Sequence, residues 1–401
     1  MNRTLYYTPL LLIAALLVTS SCSGDENNQS TGEQEVIPTE ITTQALENYS
    51  AIVYASYEDS HEAAEALDTS IEAFVAAPSE DTFAAAKTAW LESREPYLQT
   101  EVYRFYEGPI DNEADGPEGL LNAWPLDEQY IDYVEGEPEA GIVNDTSRDI
   151  TAEALEALNE EGGEKNIATG YHAIEFLLWG QDFSTDGPGD RPYTDYLLTD
   201  MATAPNADRR ALYLTTTSDL LLTHLDQLVT EWAPEQDNYR KSFLEAPAAD
   251  GLANVMAGMI ILSGFETGGE RLQTALDSGD QEDEHSCFSD NTHRDMIQDI
   301  QGVQNVYLGS YTRLDGTTIS GTGIKDVIAA RDSELADELE AQIQESLDLA
   351  NALNTPFDQE IAISNTEGRA RVAALITSLQ EQEALLQDAF RLFELEIPEA
   401  E

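Results

Sequence analysis

The chain is poor in positive charge, sulfur and imidazole. Of its 401 residues, 19 are lysine or arginine against 78 aspartates and glutamates, a formal net charge of −59. Lysine occurs only at Lys87, Lys165, Lys241 and Lys325. A surface so short of bases repels phosphate backbones and anionic headgroups. That excludes nucleic acid as a partner and leaves a membrane no role except through an anchor. The two cysteines are Cys22 and Cys287. If Cys22 carries a lipid, Cys287 has no partner, no disulfide staples the fold, and stability comes from packing alone. Five histidines are present, and the one set in the most helix-like apolar run, His172, is not part of the H-E-x-x-H motif of a zinc-protease helix. Runs of alternating β-branched residues are scarce, which excludes a large sheet.

Hydrophobic residues make up 41% of the chain, enough for a packed core, and the length suits one large or two moderate domains. Aromatic and aliphatic residues recur throughout, which argues against disorder as the source of the acidity. The acids are spread along the whole sequence, as expected of a protein adapted to a saline medium: at molar salt the Debye length is about 3 Å, and self-repulsion is largely screened. The N-terminus reads as an address. Residues 1–21 carry only Arg3, and "PLLLIAALLV" (Pro9–Val18) is too short to span a bilayer and fits a signal segment. Thr19, Ser20 and Ser21 then precede Cys22, a pattern similar to a bacterial lipoprotein box with Thr19 where leucine is usual; ordinary signal cleavage nearby is the alternative. Residues 22–42 are polar and aperiodic, a flexible tether. The expectation is an exported protein, in the periplasm or at the cell surface, anchored by lipid at Cys22.

From about Thr43 the pattern becomes helical, with Leu46, Tyr49, Ile52, Val53 and Tyr57 on one stripe. A second helix follows the Pro-Ser signal at 78–79, with Phe83, Trp90 and Leu91 on its apolar face. Residues 107–147, rich in Gly, Pro, Asn and Asp, read as a long ordered loop with short turns, of the kind that is usually functional. Further helices are predicted at about 150–159, 165–179, 208–232, 250–277, 295–310, 331–352 and 366–393. The expected class is all-α, with two helical bundle-like domains, 43–205 and 206–401. Segments 166–180 and 298–312, and 209–229 and 369–390, are alike in pattern and suggest an internal duplication.

Three stretches can carry chemistry. In "TGYHAIEFLLWGQD" (Thr169–Asp182), His172 and Glu175 stand at i and i+3 on one helix face. Imidazole and carboxylate there are either two ligands for iron or zinc, or a buried hydrogen-bonded pair. In "DQEDEHSCFSDNTHRD" (Asp280–Asp295), Glu284, His285, Ser286, Asp290 and His293 crowd a loop that opens a helix near His293. These residues are possible additional ligands, or a solvated loop; a nucleophilic role for Cys287 has nothing to orient it. In "AWLESREPYLQTEVYRFYEGP", Arg94, Glu95, Glu101 and Arg104 sit among aromatics, and an arginine there must be paired with a site carboxylate or an anion. Gly264, Gly268 and Gly269, beside Glu270 and Arg271, imply close helix approach or a backbone opening toward a ligand.

In order along the chain, G-x-H-x-x-E (Gly170, His172, Glu175) with "FLLWGQD" after it, together with "NAWPLD", "LSGFETGGERL", "EDEHSCFSDNTHRD" and "NTPFDQEI", resembles the imelysin family over about residues 45–393, within it the iron-regulated and insulin-cleaving subgroup. The resemblance implies two helical domains with a functional site at or near their interface, an anchored extracytoplasmic lipoprotein and a link to iron uptake. It carries His172 and Glu175 over as the metal or ligand residues. Two readings of function follow: a binding protein for iron (zinc as the alternative), taken as the ion or as a small chelate, and a metallopeptidase of the insulin-cleaving type. A third is an interaction module in which the motif is structural.

Overall fold

The computed structural model describes residues 36–396. The predicted signal segment, the lipid site at Cys22 and nearly all of the predicted tether lie outside these residues.

Helix α1 (Thr39–Ala76) begins a few residues earlier than the apolar period predicts. It buries Leu46, Tyr49, Ile52, Val53, Tyr57, Leu67 and Phe74 along one side. Helix α2 (Glu80–Leu98) starts at Ser79, whose hydroxyl accepts the Thr82 N–H while the Thr82 hydroxyl accepts the Ser79 N–H, a capping box. Helix α1 packs against α2 and against α4 (Ala207–Trp232). Between them runs α3 (Gly170–Trp179), every residue of which is buried.

Residues 107–147 are, as expected, a loop broken by short turns of helix (Glu118–Leu121, Glu128–Ile131, Gly141–Asn144). Arg209 pins part of it, donating to the carbonyls of Ile142, Val143, Asp145 and Arg148. The second half holds α5 (Ala248–Ile260), α6 (Thr292–Leu308), α7 (Ser333–Asn351) and α8 (Thr366–Leu392). Helix α5 runs on into a π-helical segment, Ile261–Gln273, and a last turn, Thr274–Ser278. The stretch Ala248–Ser278 is long and apolar enough to cross a membrane by composition, but here its apolar side chains pack on α1 and α8. Gly264 and Gly268 allow the π segment to meet Glu383 and Leu379 of α8, so the glycines serve close helix approach.

The class is all-α; among the described residues the sheet content is one short antiparallel hairpin, Ser310–Thr312 with Thr318–Ser320. The helix predicted over 295–310 runs from Thr292 to Leu308, and the hairpin begins two residues on, at Ser310. The larger hydrophobic cluster draws on residues from Ala45 to Phe393, on both sides of residue 205. A smaller one joins the π segment, α6, α7 and α8 around Leu272, Met296, Phe357 and Leu375.

Candidate functional site

Gly170 sets the site's position. Its φ is +84°, and a Cβ there would come within 2.5 Å of the Leu121 carbonyl oxygen. Only glycine tolerates both conditions without strain. The start of α3 therefore lies directly on the backbone at Leu121, next to Asn122. This is also why α3 begins at Gly170 and not near 165. One turn into α3, His172 Nδ1 is 2.8 Å from Glu175 Oε2. Glu175 Oε1 accepts the Ser289 N–H at 2.9 Å and the Ser289 hydroxyl at 2.6 Å. The loop before α6 is thus tied to α3 through this carboxylate.

That loop delivers a second imidazole. The rings of His172 and His285 stand edge to face with centroids 4.9 Å apart. His285 repeats the pattern of His172: its Nδ1 is 2.7 Å from Asp295 Oδ2 on α6. Asp295 also accepts from the Ser286 hydroxyl at 2.5 Å and from Asn291 Nδ2 at 3.0 Å. The Nε2 atoms of both histidines are buried and have no hydrogen-bond partner. Trp124, on the peptide bond cis to Pro125, packs on His172 at 4.9 Å.

Arg94 supplies the buried positive charge. Its NH1 donates to Asn122 Oδ1 at 2.6 Å, its NH2 lies 3.7 Å from Asp295, and its guanidinium carbon is 4.8 Å from the Tyr171 ring centre. Arg271 makes the second centre, donating to Asp299 at 2.8 Å and to Glu101 at 2.6 Å. Burial would raise the Glu101 carboxyl, but Arg104 and Arg271 together hold it well below the usual range. Burial drives His172 and His285 far below the ordinary histidine range, and the nearby guanidinium groups of Arg94 and Arg271 add to it. Both imidazoles are therefore neutral, the form that ligates metals. Burial pushes Glu175 up to about 8, with Ser289 pulling it down. When Glu175 is ionised, Oε2 accepts the Nδ1–H of His172 and Nε2 keeps a bare lone pair. A cation arriving at Nε2 favours that form and releases a proton.

His285 forms part of the wall of a cleft of about 730 Å³, together with Asn122, Trp124 and Arg271. Acids dominate its rim: Glu118, Glu160, Glu164, Glu266, Glu270, Glu282 and Asp283, against Arg104, Lys165 and Arg271. Among the described residues, no third His, Cys, Asp or Glu ligand atom joins the two imidazoles in a compact trio; the one such trio lies elsewhere.

Of the residues predicted for the site, His172, Glu175, His285, Ser286 and Arg94 come together, Glu101 supports them through Arg271, and Glu270 lies on the rim. Glu95 stands apart: it pairs with Arg294 at 2.7 Å and with Gln298, a third exposed. His293 is half-buried on the first turn of α6, with Asp295, Arg294 and Glu95 as its electrostatic neighbours. Glu284 and Asp290 belong to a different cluster, described below. Asn122, Ser289, Asp295 and Asp299 were not legible as site residues, although Asn122, Ser289 and Asp295 lie within the motifs "NAWPLD" and "EDEHSCFSDNTHRD"; the signal for Asp295 was an acid ten residues after a histidine, on the next helix.

The fold and site define an all-α protein with an acidic cleft whose wall includes His285, one of a pair of neutral, carboxylate-backed imidazoles. The chain belongs to the imelysin family, whose model matches residues 53–386. It is 25% identical over 358 residues to iron-regulated protein A of Synechococcus elongatus, covering 85% of this chain and 86% of that protein. A solved structure from Parabacteroides distasonis, described as an iron-regulated protein A precursor, has a TM-score of 0.68 at 18% identity, covering 90% of this chain and 97% of that one. An imelysin-like protein from Psychrobacter arcticum has a TM-score of 0.63 at 14% identity, covering 90% and 98%. These two structures share the fold.

Proposed function

We propose that this protein is an exported, lipid-anchored binding protein that takes up iron, as the ion or as a small chelate, where the cleft lined by His285 meets the His172 ring packed against it. The observation that carries the proposal is the matched pair of imidazoles, each with Nδ1 held by a carboxylate and Nε2 left bare. Protein imidazoles that ligate metals are oriented in this way, by a carboxylate on the far nitrogen. Imidazole suits iron and zinc alike; the name of the Synechococcus relative, an iron-regulated protein, favours iron. Two protein nitrogens leave most of an iron's coordination to other donors, which suits an ion that arrives with water or a chelator still bound. The acidic rim would draw in a cation. Glu175 spends one oxygen on His172 and the other on Ser289, which supports an orienting role for it over that of a peptidase base.

Iron titration of protein purified without chelators, followed by metal analysis, tests the reading. Wild type is expected to bind one iron per chain, and His172→Ala or His285→Ala to lose that binding while circular dichroism shows the fold retained. Zinc titrated in parallel decides between the two metals. Iron binding that is absent from wild type, or equal in both variants, overturns the proposal.

A further inference from the structure

A second site lies outside the imidazole pair. Asp182, on the loop after α3, Asp290, on the loop before α6, and Asp358, on the short helix Phe357–Ile361, bring carboxylate oxygens within 4.8 Å of one another, and all three are buried. Asp182 Oδ1 accepts the Ser184 N–H at 2.8 Å, but Asp182 Oδ2 and both oxygens of Asp290 and of Asp358 have no donor. Glu284 is an independent observation. It is 0% exposed, neither oxygen makes a well-formed hydrogen bond, and its neighbours are Asp358, Asp290 and the Thr292 hydroxyl, so it faces the trio from the chain segment that carries His285. No lysine or arginine is among the groups that act on these four carboxylates. Buried carboxyl groups without a counter-charge are costly to ionise, and burial pushes all four of these upward, Asp290 to about 8; a cation would take the place of the protons they otherwise keep. In a chain that pairs its other buried acids with arginine, Glu175 on His172 and Ser289 excepted, their gathering from three segments calls for a cation.

We propose that Asp182, Glu284, Asp290 and Asp358 bind one divalent cation of the calcium class, which locks the loop bearing His285 and Ser289 against α3. The donors are oxygens only, which suits a hard cation over iron or zinc. Calcium–oxygen distances of about 2.3–2.6 Å place opposite ligands about 5 Å apart, the span of this cluster. The three segments are already in contact: Gln281 donates to the Asp182 carbonyl at 2.6 Å, the Gly189 N–H to the Phe288 carbonyl at 2.9 Å, and Gln359, beside Asp358, to the Thr185 carbonyl at 3.2 Å. A cation here would fix the loop on which half of the imidazole pair depends, without touching either imidazole. Asp290 has φ +58°, a conformation that asparagine also accepts, so Asp290→Asn removes the charge and leaves the backbone as it is.

The test is calcium titration of the chelator-treated full-length mature protein in 1 M NaCl, where surface acids are screened, with binding read by calorimetry and stability by melting. Wild type is expected to take up one equivalent and to melt at a higher temperature with calcium. Asp358→Asn and Asp290→Asn are expected to lose at least tenfold in affinity and most of the calcium-induced rise. If one of these variants fails to fold, the other carries the test, with circular dichroism reporting its fold. His172→Ala is expected to bind calcium like wild type, which keeps this site distinct from the iron site. No saturable equivalent in wild type, or equal affinity in both folded asparagine variants, overturns the proposal.

Discussion

At the scale of single residues, the neighbours of each imidazole decide its chemistry. His172 and His285 are buried far enough to stay neutral, and each has its Nδ1 engaged by a carboxyl group; when that group is ionised it accepts the Nδ1–H, and the available electron pair is on Nε2. Glu175→Gln tests this ordering without removing a ligand. The new amide can donate its N–H to His172 Nδ1, which moves the ring proton to Nε2 and removes the lone pair. The substitution also replaces a buried carboxyl by a neutral group of the same shape, so the fold should tolerate it. Iron affinity is expected to fall by about 10- to 100-fold, as for other supporting partners of metal-binding histidines, with little change in melting temperature. Glu175→Ala differs: it strands the Ser289 and His172 donors, at roughly 1–3 kcal/mol for each buried orphan. Wild-type iron affinity in a folded Glu175→Gln protein would sink the orienting role.

At the scale of elements, the first residue of α3 is as important as its side chains. Gly170 combines a left-handed backbone with contact against the Leu121 carbonyl, and that contact places Asn122 beside Arg94. Gly170→Ala is expected to cost on the order of 3 kcal/mol, summing backbone strain and overpacking, and to shift Asn122 from the site. Gly163→Ala, whose Cβ would have ordinary space, is the control; denaturant melts of the two variants decide the point. The long helices were legible because their apolar stripes are regular, and α2, α7 and α8 also start on a capping side chain, Ser79, Asp332 and Asn365. The hairpin after α6 was missed although Asp315-Gly316 is a turn signal, because its strands are three residues each. The π segment was not legible, since its register depends on Gly264 and Gly268 meeting α8 in space. His172 with Glu175 was legible from spacing, and His285 from the crowding of its loop. Asp182 and Asp358 were not: each is one acid among 78, and only the fold brings them together.

At the scale of the whole molecule, the deficit of bases is larger than composition suggests, because the bases present are used inside. Arg94, Arg191, Arg210 and Arg271 are buried, Arg191 and Arg210 both on Asp132, and Arg209 is spent on backbone carbonyls. The outer faces of the long helices are left acidic: Glu40, Glu47, Glu62, Glu65 and Glu72 on α1, and Glu334, Asp337, Glu338, Glu345 and Asp348 on α7 are all exposed. At 0.1 M salt the Debye length is about 10 Å, long enough for neighbouring acids on a helix to repel; at 1 M it is about 3 Å. Like charges at i,i+4 each cost a few tenths of a kcal/mol, and many such pairs act at once. The melting temperature of chelator-treated protein is therefore expected to rise by at least several degrees from 0.05 M to 2 M NaCl. The rise should be nearly as large in Asp290→Asn, because it comes from the surface and not from the buried acid cluster. Equal melting temperatures at both salt concentrations would show that the exposed acids do not destabilise this fold, and the saline adaptation inferred from the composition would then fall.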